Sequence, residues 1–453
     1  MSTNITPETS AHDRPPLVPG SAAGQLTTGT RARVWLPGDA DFDAARRPWN
    51  LAVDQPVAAV VEAADAADVA ILVRNAAAAG LGIATQPNGH GATGRTAGTV
   101  LLRTRRLDEI VIDPVARRAR IGAGVRSGEL QRAAAAHGLT ALPGSSPVVS
   151  VAGVALGGGL SWFGRAFGWV ADSVTAFDVV DARGAAHTVT AENQPDLFWA
   201  LRGGGGDYAI VTALEIALHP APAVFGGRVL WHGSHARAVA DAYRAMTRDA
   251  PDELTLWLEL LHFPGAEPMV AVDSTYLGGE TDARVLTRAI DPLPEPLADT
   301  RRAMTVAELG TITGEPTDPG PGQSRAELLT RLDDAALDAL LGDPIAPLMT
   351  VQVRHLGGAL ARPSDSPHGP LTEPYAVYMF GVPSSPAVAD AIVSKQRSLK
   401  SDLPVSGRKP LTFLNPAETL GDALPAASIE RLRRIKAAHD PAGTIRGNFS
   451  AMG

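Results

Sequence analysis

The 453-residue sequence predicts an α+β protein of two lobes, and three features carry that prediction. Short β-rich runs alternate with single amphipathic helices up to about residue 221. Three glycine-rich turns interrupt that stretch. After Pro220 and Pro222 the texture changes to strands mixed with longer helices. The predicted organisation is a disordered tail over 1–25, a first lobe over 26–221, a second over 222–408, and a final glycine- and asparagine-marked segment over 409–453.

The apolar run at 57–62 reads as a strand. A helix follows over 65–79, with Asp65 as its cap, Val69, Leu72, Val73 and Ala76 on one face, and Gly80 at its end. Strands are expected at 82–86, 99–103, 109–113 and 118–123, and a helix at 127–137 closed by Gly138. Residues 174–181 and 185–190 read as a hairpin turning at Arg183-Gly184, and 207–218 ends in strand-like alternation. In the second lobe, 225–280 mixes strands with a helix near 234–247, and 281–345 looks mostly helical. Strands return at 350–355 and 375–381. The Pro- and Ser-rich stretch 360–374 looks like an exposed loop.

Composition removes several function classes. Forty Lys and Arg against 48 Asp and Glu give a net charge of −8 with no basic block, so nucleic acid and anionic membrane surfaces are poor partners. With no cysteine, disulfides, thiolate metal sites, thiol nucleophiles and thioether links to a cofactor are excluded. The polar N-terminus and the lack of an apolar run of about 18 residues lead us to expect a soluble cytoplasmic protein, monomeric or homodimeric, with no metal site.

Gly89-His90-Gly91-Ala92-Thr93-Gly94 matches the letters of a dinucleotide fingerprint, but that fingerprint needs a helix after the turn. Here the following residues are β-rich. The turn is then either a nest of backbone N–H groups for a phosphate or a hairpin without a ligand. A second cluster, PGSSPVVSVAGVALGGG at 143–159, and a third, Gly203 to Gly206, are unlike core strands, because glycine offers no side chain to pack. Three such turns in one lobe suggest an extended ligand contacted along its length.

PNGHGATG, IGAGVRSGEL, PGSSPVVSVAGVALGGG, FGWVADSV, DLFWALRGGGGDYAIVT, RHLGGALAR and RLRRIKAAHDPAGTIRGN occur in order along the chain. This series resembles the berberine-bridge-enzyme-like oxidases, of the vanillyl-alcohol-oxidase and p-cresol-methylhydroxylase (PCMH) type of FAD protein. The resemblance implies a PCMH-type FAD lobe built from the N-terminal half plus the C-terminal segment, and an antiparallel-sheet substrate domain. It implies that Pro87, Asn88, Gly89, His90, Gly91, Ala92, Thr93 and Gly94 cradle the pyrophosphate. Ser145, Ser146, Val149, Gly153, Gly157 and Gly158 would line the dinucleotide, with Asp172, Ile210, Val211, Asn415 and Asn448 close to it. His90 matches the family's covalent flavin attachment point. Ser146 stands where many members carry a second, cysteinyl link, so any tether here is single, as in the mono-histidyl branch.

The implied chemistry is oxidation of a C–H beside an alcohol or amine of a small substrate, with O2 as final acceptor; a dehydrogenase or a flavin-supported cyclase is the alternative. Many members place a tyrosine base where this chain has Phe413, which cannot serve. The candidates are then Tyr378 first, His355 second and Tyr375, with Arg354 and Glu259 also considered. Tyr208 is expected to pack near the flavin, and Trp231, Trp257 and Trp35 to line an apolar pocket.

Overall fold

The computed structural model describes residues 25–452, so the tail expected over 1–25 lies almost entirely outside the described residues. The first lobe holds two five-stranded sheets. One runs Arg33–Trp35, Ala59–Glu62, Thr99–Arg103, Gly82–Thr85 and Ile445–Arg446, parallel except for its first pair. The other runs Ile110–Asp113, Arg118–Gly122, Ile210–Ala217, Val174–Val180 and Ala186–Val189, antiparallel throughout. Helix Ala66–Ala78 packs between them for the reasons its sequence states. The Asp65 carboxylate accepts from the Asp68 N–H, and Val69, Leu72, Val73 and Ala76 are buried. Each large apolar side chain so buried contributes about 1.5–3 kcal/mol. Gly80 then leaves the helix with φ +67°.

A buried lysine helps stitch the last segment to this lobe. Lys436 Nζ, on helix Ala426–His439, donates to the Asp207 carbonyl at 2.6 Å and to the Asp440 carboxylate at 2.8 Å. It also donates to the Ile445 carbonyl at 2.7 Å. Asp207 in turn accepts from the Gly447 N–H and the Ser450 hydroxyl, both at 2.9 Å. Its position directly after the Gly203–Gly206 run therefore ties that turn to the C-terminal strand.

The second lobe is one antiparallel sheet of eight strands. Its main path is Ala298–Asp299, Val224–His232, Met269–Tyr276, Leu254–Leu261, Thr350–His355, Tyr375–Gly381 and Gln323–Leu329, and Arg302–Met304 also pairs with Val224–His232. Leu256, Leu258, Val272, Val353, Val377 and Met379 face helices Ala236–Arg248, Asp334–Leu341 and Pro386–Asp402. The opposite face turns to the first lobe.

Two sequence expectations fail here. Residues 281–345 are not mostly helical: they hold the strands Ala298–Asp299, Arg302–Met304 and Gln323–Leu329. The run QSRAELL contains good helix formers, yet full pairing with Tyr375–Gly381 overrides that local preference. The stretch 360–374 is not an exposed loop either. Ser366, His368, Leu371 and Glu373 are buried, because the segment dips against the first lobe. His368 stacks on Trp169 at 4.8 Å, and the Trp169 indole donates to the Gly369 carbonyl at 3.3 Å.

Candidate functional site

The turn 87–94 leaves strand Gly82–Thr85 and leads to strand Thr99–Arg103 with no helix between, which removes the dinucleotide-fingerprint reading on structural grounds. Gly89 has φ +83°, and a Cβ there would meet Gln86 Oε1 at 2.7 Å and Pro48 Cβ at 2.8 Å, so only glycine fits. Gly94 closes the turn at φ +76°. The Asn88 amide donates to the Val148 carbonyl at 2.6 Å and so holds the turn against the segment 143–150.

His90 projects from this turn and stacks on Trp49, ring centroids 4.4 Å apart and planes 13° from parallel. Both of its ring nitrogens are buried, and neither has a hydrogen-bond partner among the described residues. Buried polar atoms are nearly always paired, so two orphans on one imidazole point to an absent partner. Burial, reinforced by the nearby Arg126 charge, pushes the imidazole down to about 4 and keeps it neutral at physiological pH.

Ser145 and Ser146, half-buried beside this turn, make no hydrogen bond among the described residues. Val149 accepts the Ser127 N–H, and helix Val151–Leu156 follows, capped by Ser150. Gly153 is exposed, whereas Gly157 and Gly158 are buried. A Cβ on Gly157 would meet Thr412 at 3.4 Å, and one on Gly158 would strike His368 at 2.8 Å. The C-terminal segment closes the ring. Thr93 Oγ1 donates to the Asn448 carbonyl at 3.4 Å, and the Arg95 guanidinium donates to the Pro416 carbonyl next to Asn415 at 3.0 Å. Asn415 spends its side-chain oxygen on the Ala417 N–H. Ile210 and Val211 open a buried strand behind this ring. Asp172 lies at the rim, accepting from the Ser364 hydroxyl at 2.9 Å.

The second lobe is pinned over the ring by two side chains of the first. Trp162 stacks on Trp257 at 3.8 Å. Arg165, almost fully buried, donates to the Leu254 and Ala250 carbonyls at 2.8 and 2.9 Å, donates to the Leu356 carbonyl, and approaches His355 Nε2 at 3.1 Å. A third tie crosses at Asn50. Its amide donates to the Gly322 carbonyl and its oxygen accepts the Gly322 N–H, which fastens the loop 312–322 beside Trp49.

Strand alternation then sorts the catalytic candidates. Trp257, Glu259, Gln352, Arg354 and Tyr378 occupy cross-strand positions of the face turned to the first lobe. Arg354 lies over Trp257 at 3.9 Å, Phe413 at 5.2 Å and Tyr378 at 5.3 Å. Burial raises the Tyr378 hydroxyl, while Ser324 and the Arg354 charge oppose the rise. His355 and Tyr375 fall on the other face. The Tyr375 hydroxyl bonds Thr247 Oγ1 of helix Ala236–Arg248 at 2.7 Å, and burial next to Arg165 pushes His355 down to about 3. Of the three tryptophans expected in the pocket, Trp257 lines this face. Trp231 instead donates to the Pro294 carbonyl within the helix-backed cluster, and Trp35 belongs to the first-lobe sheet. Tyr208 is fully buried and donates to the Gly204 carbonyl.

The face also carries groups that the sequence did not single out. Arg228 donates to Asp273 at 2.6 and 2.7 Å and to Glu259 at 2.6 Å. Burial raises both carboxyls above their ordinary range, and the Asp273 charge adds to the rise at Glu259, while Arg228 opposes it at both. Period-two spacing could have placed Arg228 and Asp273 on one face, but nothing local announces which strands become neighbours. Glu315, on the loop 312–322, is felt electrostatically by both Arg354 and Tyr378.

Residues 57–190 match the FAD binding domain. The chain is similar to an (R)-6-hydroxynicotine oxidase of Paenarthrobacter nicotinovorans, 33% identical over 55% of this chain and 56% of that protein, so the chain spans about half the length of that curated relative. In fold it is similar to the berberine-bridge-enzyme-like protein 1 of Physcomitrella patens, with TM-score 0.84 and 21% identity over 95% of this chain and 98% of the other. It is likewise similar to the glucooligosaccharide oxidase of Acremonium strictum, described with a 6-S-cysteinyl, 8α-N1-histidyl FAD, with TM-score 0.80 and 20% identity over 94% of this chain and 97% of the other. The residues present fit an FAD. Among the described residues His90 offers two buried nitrogens without a hydrogen-bond partner, next to Gly89 where only glycine is tolerated, and Ser145 and Ser146, in the segment that Asn88 holds against this turn, make no hydrogen bond either.

Proposed function

We propose that this chain, an FAD-linked oxidoreductase of the berberine-bridge-enzyme-like type, is an oxidase that holds its flavin covalently through His90. Its substrate would be a small, secondary-metabolite-like molecule with a C–H beside an alcohol or amine. The observation that carries this reading is the neutral His90 imidazole, whose two nitrogens are both buried and have no hydrogen-bond partner among the described residues. When bound, FAD supplies the two-electron acceptor for a hydride from that C–H, and O2 then takes the electrons as hydrogen peroxide.

The chain's own residues divide the remaining work. The turn 87–94 and the segment 143–158 would hold the dinucleotide, with the His90 lone pair available for a bond to carbon because no proton occupies it at neutral pH. Trp49 fixes the ring plane by stacking. Ser146 replaces the cysteine of bicovalent relatives, so the tether is single. Tyr378, the hydroxyl-bearing aromatic of the first-lobe-facing surface, would take the proton released from substrate oxygen or nitrogen, helped by the adjacent Arg354 charge. Trp257, Phe413 and the 360–374 segment exclude water from the same space.

Acid precipitation of the purified protein tests the reading. A yellow pellet is expected, together with a white pellet from His90→Ala and peroxide release with a panel of alcohols and amines. A colourless native protein would overturn it. The replacement of the usual tyrosine by Phe413 favours a second reading, a dehydrogenase or cyclase. Faster turnover with a dye acceptor than with O2, or a product with a new ring, would select it.

A further inference from the structure

The charges on the face turned to the first lobe do not pair evenly. Arg228 takes both carboxylates, Asp273 through two bonds and Glu259 through one. The other Glu259 oxygen accepts from the Gln352 amide at 2.7 Å. Arg354 is left with a neutral partner: its Nε and Nη2 donate to the Gln352 side-chain amide oxygen, Oε1, at 3.1 and 2.6 Å. Its Nη1 makes no hydrogen bond among the described residues, although the side chain is only 8% exposed. Trp257, Tyr378 and Phe413 pack around the guanidinium, so its Nη1 edge is the part that neither Gln352 nor another described residue takes up by a hydrogen bond. A buried cation without a contacting anion is costly, and the planar guanidinium edge suits an oxygen acceptor. Glu315, on the loop 312–322, is the nearest acidic charge in effect on Arg354, yet it forms no ion pair or hydrogen bond among the described residues.

Resting on the oxidoreductase reading above, we propose that Arg354 seats a negatively charged or strongly accepting oxygen of the substrate, a carboxylate, phenolate or conjugated carbonyl on a flat ring. The aromatic surround supplies the surface for that ring. An ammonium group at this place would meet the guanidinium charge directly and be disfavoured. The substrate class thereby narrows, within alcohols and amines, to oxygen-bearing aromatic or conjugated acids and phenols.

The test uses the full-length protein as purified, with benzoate, benzamide and benzylamine as matched probes. Binding is followed by titration calorimetry and, where flavin is present, by its visible difference spectrum. Wild type should bind benzoate at least about tenfold more tightly than benzylamine, with benzamide between, as expected for a charge-assisted contact. Arg354→Gln should abolish the preference and Arg354→Lys should retain part of it. Glu315→Gln should tighten benzoate a few-fold by removing the opposing carboxylate. Wild type that binds benzylamine as well as benzoate, or binds no benzoate at millimolar concentration, overturns the proposal without recourse to any variant. So does Arg354→Gln with unchanged benzoate affinity. A colourless protein that still selects benzoate through Arg354 would sink the flavin reading and keep this one, whereas a peroxide-producing enzyme without the preference would do the reverse.

Discussion

Arg354 and His355 are neighbours in the chain, yet the eight-stranded sheet sends them to opposite worlds. Arg354 joins a face carrying Arg228, Glu259, Asp273 and Gln352, cross-linked by charge-assisted bonds and turned to the first lobe. His355 joins a face of leucines and valines backed by three helices, where Tyr375 and Thr247 share a single hydrogen bond. The difference teaches that polar side chains on this sheet form a charge-linked network on one side and isolated, locally satisfied contacts on the other. A tyrosine or histidine on a strand cannot be assigned a role until its face is known.

Three tests sharpen that contrast. The largest effect is expected from Arg228→Met, which leaves Glu259 and Asp273 buried without their cation. A loss of about 3–5 kcal/mol in unfolding free energy should follow, read from denaturant titration. A loss under about 1 kcal/mol would show that the network is solvated rather than dry.

The next effect is acid sensitivity from the helix-backed face. The His355 imidazole is held down to about 3, against an ordinary 6.5, first by burial and then by Arg165. The unfolded chain therefore binds a proton that the folded chain refuses. Stability is complete above about pH 6.5 and falls as pH drops from there towards 3, by up to about 1.4 kcal/mol per unit for this one group. His355→Gln should flatten that limb in melting curves between pH 4 and 6.5. An unchanged slope would place the acid sensitivity on other groups, of which His368, also held down to about 4 by burial, is the first to examine.

The smallest effect separates two tyrosines. Tyr375→Phe removes one buried hydroxyl bond and should cost about 1 kcal/mol of stability with turnover unchanged. Tyr378→Phe should leave stability nearly as it was and lower kcat on any oxidised substrate by about 10²-fold or more. The reverse pattern would exchange the roles of the two faces.

Much of the first lobe was legible in the sequence. Asp65, the Val69–Ala76 stripe and Gly80 announce a helix and both of its ends, because caps and period act within a few residues. The glycine turn around His90 was legible too, since positive φ at Gly89 and Gly94 demands glycine whatever surrounds it. The second lobe was read less well. QSRAELL became a strand against its helix-forming composition, and the 360–374 stretch became a buried contact, because in both cases the deciding partner is distant in the chain.

By itself, then, the sequence determined what depends on local chemistry: a protein without thiols, three turns only glycine can make, a histidine set in one of them, and strands whose residues alternate. Tertiary structure alone decided which face each alternating residue joins, that Lys436 and Asp207 fasten the C-terminal strand to the first lobe, that Trp49 covers His90, and that Arg354 keeps one edge without a hydrogen-bond partner among the described residues. Period two fixes that neighbours part company, but only long-range pairing and burial settle which of them meets the other lobe.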